Sequence, residues 1–398
     1  MSTGQIEAAS ERPKVSPLYD PRVRSIAFQV ILCLVIAFVV YEAAANAVEN
    51  LRRQNIATGL GFWNNAAGFP ISQSLIDYSE QYSTYGQAFW VGLLNTLLVA
   101  VIGIVLATML GFTMGVARLS KNVLVAGVAR WYVEIVRNLP LLLQLLFWYN
   151  AVLKALPDVR ESAKLPFSIF LNNRGLYAPR PDPQPAFDFV WLALAIGVVV
   201  TVAFRYWARK RQEKTGQQAP VGWVTLAMIV GLPLVTYLAL GRPLNFDIPQ
   251  ATRFNIGGGM VLQPEFLALL FGLTIYTGAF ITEVVRAGIL AVSHGQTEAA
   301  FALGLRPNQT TKLIIIPQAM RVIIPPLTSQ YLNLTKNSSL AVFVGYPDLA
   351  NVFTGTVLNQ TGQAIEVVGI TMLVYLTISL GTSFAMNIYN SRKALVER

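Results

Sequence analysis

Charged side chains are scarce in this sequence: Asp, Glu, Lys and Arg make up 13% of its 398 residues, while 54% are hydrophobic. An ordinary soluble domain carries about 25% charge. A water-facing surface cannot be built from so little charge, nor can a soluble core hide so much apolar side chain. There is one cysteine, Cys33, and one histidine, His294. Cys33 lies in an apolar run, has no partner for an internal disulfide and says nothing of the redox compartment. The single histidine excludes His-rich zinc sites and a zincin motif, and a Ser/His/Asp triad would have to recruit that one residue. No Gly-x-x-x-x-Gly-Lys-Ser/Thr run occurs, so the chain has no P-loop with which to cradle ATP phosphates. With no acid–base or metal-ligand constellation, no catalytic residue, cofactor or metal is assigned.

What the sequence has instead is a series of long apolar runs. Their length, with a mean hydropathy of +0.51, predicts an all-α polytopic transmembrane helical bundle in which chain length counts crossings rather than globular domains. The formal charge is +10, yet Lys and Arg cluster at the ends of the runs, where they set topology and meet anionic headgroups of the lipid bilayer. No aromatic-basic platform accompanies them, so no nucleic acid is expected.

About eight spans are predicted, at residues 25–45, 87–117, 123–153, 189–204, 221–240, 265–292, 311–334 and 366–389. Arg22 and Arg24 precede the first, and Arg118 and Lys121 close the second. Arg205, Arg209, Lys210, Arg211 and Lys214 follow the fourth, and Arg392, Lys393 and Arg398 the last. Positive-inside logic puts all these clusters, and both termini, on the cytoplasmic side. Ala43-Ala44-Ala45 imitates a signal-peptidase site, but the apolar run is of spanning length and reads as an uncleaved anchor. The chain then divides into a cytoplasmic tail (1–24), an extra first helix with its exported loop (25–86), a first membrane part (87–156), an inserted block with two extra spans (157–263), a second membrane part (264–390) and a cytoplasmic tail (391–398). Residues 157–188, with Pro179, Pro181, Pro183 and Pro185, read as an irregular exported loop. Residues 243–264 are exported too, and their Gly257-Gly258-Gly259 lacks the strand context of a nucleotide motif.

The most informative stretch is the loop between the sixth and seventh spans, which runs Glu298-Ala299-Ala300, Gly304, Ile314-Ile315-Ile316-Pro317. Ser293 and Gln296 suit a capping box and the Ala-rich run suits a helix. Gly304 suits the left-handed position that ends one, and Pro307 the first turn of the next. The result is a short helix outside the membrane, apolar on one side through Ala299, Ala300 and Leu303. Physics alone leaves two roles open, a surface helix resting on the bilayer or a docking knob for another protein.

The spacing of that loop, 293–317, closely resembles the EAA loop of bacterial ABC importer permeases, with Ile316 where that family prefers Leu. The resemblance implies that Glu298, Ala299, Ala300, Gly304 and Pro317 dock into an ATPase subunit. Asn95-Thr96 within Gly92–Leu97, the run from Tyr132 to Gln144, Glu283–Gly288 and Lys336–Leu340 resemble, in turn, the core segments of the polar amino-acid permeases. The likeness covers 86–155 and 264–390. The extra first helix and the block 157–263 look like those of the extended general L-amino-acid permeases. A type I ABC importer permease core is implied, set in a bacterial inner membrane. Its implied partners are a second related permease subunit, two ATPase subunits, a periplasmic amino-acid-binding protein and an L-amino-acid substrate.

Several polar residues in or beside spans remain to be placed. Glu134/Arg137 and Glu283/Arg286 are three apart, so each pair shares a helix face and is expected to neutralise itself as a structural ion pair. Gln144, Asn333 and Asn337 are amides that either bond to neighbouring helices or face the substrate path. Lys336-Asn337-Ser338-Ser339 after a proline-interrupted helix offers donors for an α-carboxylate, although a lysine there also suits snorkelling to the interface. Proline breaks at Pro317 and Pro325-Pro326 are expected to line the path. The rival reading, an ion- or proton-coupled secondary amino-acid carrier, needs carboxylates central to spans, for which only Glu134 and Glu283 stand as candidates.

Overall fold

The computed structural model describes residues 21–53, 58–252 and 255–393. Residues 1–20 and 394–398, which hold most of the two predicted tails, lie outside the described residues. Helix α1 (Pro21–Arg53) runs unbroken through the Ala43-Ala44-Ala45 stretch, and its large apolar side chains from Val23 to Val48 are exposed rather than packed on the chain. Helix α2 (Tyr85–Ala117) opens with a capping box: the Gln87 N–H donates to Thr84 Oγ1 at 3.3 Å, and the Thr84 N–H donates to Gln87 Oε1 at 3.1 Å. Helix α3 (Val123–Asn138) starts where Asn122 Oδ1 accepts from the N–H groups of Leu124 and Val125. It stops before Pro140, since a proline pushes the residue ahead of it out of the helical region. After that break come α4 (Leu141–Leu146) and a π-helical turn over Phe147–Leu153.

The inserted block departs from the irregular loop expected. Strands β1 (Ala163–Leu165), β2 (Ile169–Asn172), β3 (Gly175–Ala178) and β4 (Arg180–Pro183) precede α5 (Asp188–Thr215), α6 (Val221–Leu226) and α7 (Leu232–Ala239). Strands β5 (Leu244–Asp247), β6 (Gln250–Ala251), β7 (Ile256–Gly257) and β8 (Met260–Leu262) follow. The segments on either side of α5 to α7 close on each other, β3 pairing with β8 and β4 with β5, to give an antiparallel sheet ordered β1-β2-β3-β8 beside two short ribbons. Proline density hid this pattern. Pro181 and Pro183 sit in β4, which pairs with a single partner strand, where a missing N–H is tolerated.

The second membrane part contains α8 (Pro264–Leu290), α9 (His294–Ala302), α10 (Pro307–Thr310) and α11 (Ile316–Asn337), then α12 (Leu358–Thr361) and α13 (Ala364–Lys393). Between α11 and α12 the chain forms a 3₁₀ turn at Ser338–Phe343 and a π-helical stretch at Ala350–Val357.

Among the described residues, six helices are long and apolar enough to cross a membrane: Val23–Asn50, Tyr85–Ala117, Pro185–Thr215, Val221–Ala239, Pro264–Leu290 and Ala364–Ser391. The other two predicted spans are helical but not uniform. The 123–153 run is broken at Pro140, and α11 carries Gln318, Arg321, Gln330, Asn333 and Lys336 along its length.

Helix α8 is the centre of the bundle. Leu269, Leu273 and Ile281 are fully buried among Val99 and Ala107 of α2 and Ile323 and Leu334 of α11. Lipid gives helices no hydrophobic reason to associate, so close backbone approach must do it. A Cβ on Gly111 would lie 2.4 Å from Ile281 Cγ2 and 3.1 Å from the Gly278 carbonyl oxygen, and one on Gly115 would lie 2.7 Å from Val285. Residues 58–84, read as a polar loop, hold a second core in which Phe62, Trp63 and Phe69 pack on Tyr85, Phe89 and Phe353 at centroid separations of 5.2–6.4 Å.

Candidate functional site

Helix α9 is held away from the bundle between α8 and the start of α11. Its end is a Schellman turn: Gly304 has φ +77°, the Leu305 N–H donates to the Ala300 carbonyl at 3.1 Å, and the Gly304 N–H donates to the Phe301 carbonyl at 2.9 Å. That uses two of the carbonyls a helix end leaves free. The expected capping box at its start does not form. Ser293 makes no side-chain cap, and Gln296 Oε1 accepts from Gln318 Nε2 of α11 at 3.1 Å, which draws the amide off the helix end. The apolar face is also split. Ala300 is buried against its own chain, whereas Ala299, Phe301 and Leu303 are exposed, Leu303 at 81%. Glu298 is exposed beside them and meets His294 Nδ1 at 3.0 Å, and Pro317 is exposed in the first turn of α11.

One helical segment above, the bundle holds a charge cluster. Glu283 accepts from Arg286 Nε at 3.0 Å and Nη2 at 2.5 Å, while its other oxygen accepts from Arg118 at the end of α2. The expected Glu283/Arg286 pair is therefore present and extended across to α2. The expected Glu134/Arg137 pair is not. The Arg137 guanidinium lies 5.0 Å from the centroid of the Phe280 ring on α8, a cation–π contact that tertiary packing offers and helix spacing does not. Two clefts adjoin here. One, of about 340 Å³, is lined by Arg118, Glu134, Arg137, Asn138, Phe280 and Glu283. The other, of about 490 Å³, shares Arg137, Phe280 and Glu283 and adds Val322, Pro326 and Gln330 of α11. Each is more than ten times the roughly 30 Å³ share of one water, so a small polar ligand fits with an acid, a cation and a ring in reach.

The remaining polar residues separate. Gln144 is buried, and its Nε2 donates to the carbonyls of Val136 at 2.9 Å and Leu139 at 3.0 Å. It caps the broken end of α3, the helix-bonding one of the two roles open to it. Ser338 is wholly buried, with Oγ donating to the Thr335 carbonyl at 2.8 Å, so it is removed from any substrate contact. Ser339 Oγ donates to the Lys336 carbonyl at 2.8 Å. Asn333 and Lys336 are exposed and Asn337 half-buried on one face of α11, and among the described residues Lys336 makes no ion pair.

A buried network that motif reading missed lies next to Ser338. Asp348 is fully buried; its Oδ2 accepts from the Tyr375 hydroxyl at 2.9 Å and its Oδ1 from the Asn351 N–H at 2.8 Å. Asn95 Nδ2 donates to the carbonyls of Pro347 and Gln73 at 2.9 and 2.8 Å, and Thr96 Oγ1 accepts from the Leu349 N–H at 3.0 Å. The Asn95-Thr96 pair thus clamps the chain that returns from α11 onto α2. A carboxylate outside every apolar run gave no local signal of this.

Comparison with known proteins places this geometry. Residues 103–394 match the model of the family described as binding-protein-dependent transport system inner membrane component. The chain is 52% identical over 383 residues to the general L-amino acid transport system permease protein AapQ of Rhizobium johnstonii, covering 96% of this chain and 95% of that one. It is 42% identical to the glutamate/glutamine/aspartate/asparagine transport system permease protein BztB of Rhodobacter capsulatus, covering 98% and 99%. BztC, a permease protein of the same named system, is 36% identical over 124 residues, covering 31% of this chain and 26% of that protein. A polytopic bundle with an exposed loop helix, matched along nearly three-quarters of its length by one family model, is a multi-pass inner-membrane protein, and the chain belongs to the family of binding-protein-dependent transport system inner membrane components.

Proposed function

We propose that this permease subunit carries L-amino acids inward with two ATPase subunits, a second related permease and a periplasmic amino-acid-binding protein, its N- and C-termini in the cytoplasm. One observation carries the reading: a nine-residue helix, α9, stands off the bundle with Glu298, Ala299 and Leu303 exposed and its end set by Gly304. A helix that size buries too little on its own chain to account for an exposed Leu and Phe, and docking supplies the missing surface. The names of AapQ and BztB support the substrate class, and the likeness to both BztB and BztC of one system supports pairing with a second permease.

In this reading Glu298, Ala299, Ala300, Gly304 and Pro317 form or hold the ATPase contact. The substrate passes the clefts beside Arg137, with Glu134 suited to an α-ammonium and Arg137 to an α-carboxylate. Asn333, Lys336 and Asn337 form a second polar stripe toward the other end of α11. Hydrolysis belongs to the ATPase chains, and this subunit transmits it through α9 to α8 and α11.

The test is uptake by proteoliposomes of the assembled complex. Uptake of radiolabelled L-glutamate and L-glutamine should require ATP on the α9 side and the binding protein on the other. Uptake driven by an ion or proton gradient without ATP would assign the secondary carrier instead.

A further inference from the structure

The inserted block has no role in the clefts or in α9, yet it forms an ordered surface. Helix α8 runs between them, beginning directly after β8 and ending directly before α9, so the β layer and the ATPase-facing helix lie on opposite sides of the membrane. One part of the layer is cationic: residues 154–180 hold Lys154, Arg160, Lys164, Arg174 and Arg180 against Asp158 and Glu161, while Asp182 and Asp247 lie in the separate β4–β5 ribbon. A cleft of about 640 Å³ opens there, lined by Lys154, Asp158, Val159, Arg160, Asn173 and Arg174.

The floor of that cleft is built rather than loose. Asn172 is fully buried, with Nδ2 donating to Ser162 Oγ at 2.9 Å and Oδ1 accepting from the Arg174 N–H at 2.8 Å. Asn173 Nδ2 donates to Asp158 Oδ1 at 2.7 Å, which occupies part of the one carboxylate in the lining. Arg174 is exposed and, among the described residues, has no ion-pair partner.

At the end of β2 opposite the cleft, the β1–β2 hairpin closes on Phe167 and Ser168 at φ +62° and +57°. A left-handed phenylalanine is disfavoured by its own Cβ, and this one is 88% exposed. Among the described residues, little packs on its ring to offset that cost. Exposed aromatic side chains and arginines on one surface are residue types enriched at protein interfaces.

A contact path also leads inward. Lys154 Nζ stands 4.3 Å from the Tyr149 ring centroid, and the Tyr149 hydroxyl donates to Glu265 Oε1 at 2.8 Å in the first turn of α8. Pressure on the cleft therefore meets the helix that carries Glu283 and ends at α9.

We infer that the β layer of the inserted block is the landing surface for the soluble binding protein, with Phe167 as its aromatic anchor and the Lys154/Arg174 cleft taking carboxylates from an acidic patch of that partner. The inference rests on the importer reading above. A cationic cleft selects an acidic partner, and opposite charge raises association rates in a salt-dependent way.

The experiment uses the complete complex in nanodiscs and the purified binding protein of the same system loaded with L-glutamate, with ATP hydrolysis read as binding protein is titrated. Phe167→Ala and Arg174→Glu should each raise the half-maximal binding-protein concentration tenfold or more, and Arg174→Glu should flatten its salt dependence. ATP hydrolysis without binding protein should stay as in wild type, which shows that both variants fold and assemble. In a Cys33→Ser background, Phe167→Cys should react with an impermeant maleimide and be protected by added binding protein. Unchanged titrations in both variants, labelling without protection, or no labelling because the tip is sunk in lipid, would each overturn the inference. Failure of the binding protein to stimulate the wild-type complex would strike the importer reading instead.

Discussion

Replacing Gly304 by valine tests the ATPase-docking role of α9 with little steric ambiguity. The residue sits at φ +77°, and a Cβ built there meets nothing within 4 Å, so the cost arises from the backbone conformation alone. A left-handed residue with a Cβ costs about 1–2 kcal/mol. If the chain escapes that cost, the two terminal bonds from Leu305 and Gly304 break and the helix axis swings. Docking then has to restore the left-handed turn, at up to that cost, which corresponds to a loss of about 5- to 30-fold in effective affinity for the ATPase. Gly304→Asn is the control, because asparagine visits the left-handed region readily. The assay is copurification of the ATPase with tagged permease over a dilution series, beside ATP-driven uptake and the membrane abundance of the permease. The valine variant should reach the membrane in normal amounts, lose ATPase on dilution and lose uptake, with the asparagine variant close to wild type. Equal ATPase retention and uptake in valine and wild type would refute the reasoning.

Gly111→Leu should wedge α2 from α8 against Ile281 and the Gly278 carbonyl, costing about 1–3 kcal/mol and lowering the detergent melting temperature. Ile281→Ala should restore part of that loss. Asp348→Asn should leave Tyr375 or the Asn351 N–H facing a donor, a penalty of about 1–3 kcal/mol, seen as lower stability with α9 docking intact. Lys336→Ala should cut uptake without loss of assembly and Lys336→Arg should not restore it, since a forked guanidinium replaces a point charge poorly; wild-type uptake in both variants removes Lys336 from the path. Single cysteines at Gly216 and Asp182 in a Cys33→Ser background should be, respectively, shielded from and open to an impermeant reagent in intact cells. The opposite labelling reverses the topology.

Membrane character and the loop helix were legible because each depends on local chemistry. Apolar run length sets the spans, basic residues mark their ends, and Gly304 followed by Pro307 marks a stop and restart that any fold would have to respect. The same locality explains the misses. Helix spacing put Glu134 beside Arg137, but Phe280 arrives from α8, far along the chain, and claims the guanidinium. Gln144 stayed open between a neighbouring helix and the path until Pro140 broke α3 and left carbonyls for it to cap. Proline-rich 157–188 looked irregular because two of its strands, β3 and β4, pair with residues 244–262, beyond α5, α6 and α7. Asp348 belongs to no motif, and only the folding of the 338–361 return onto Asn95 and Thr96 buries it. Residue type and short spacing, which act within a few turns, were enough for six of the predicted spans and for the place where α9 ends. Partner choice among buried polar groups, and the juxtaposition of clefts and strands, required the packed chain, because contacts such as Arg137 with Phe280, Asn95 with Pro347 and β4 with β5 join residues that lie on different elements and that no local spacing relates.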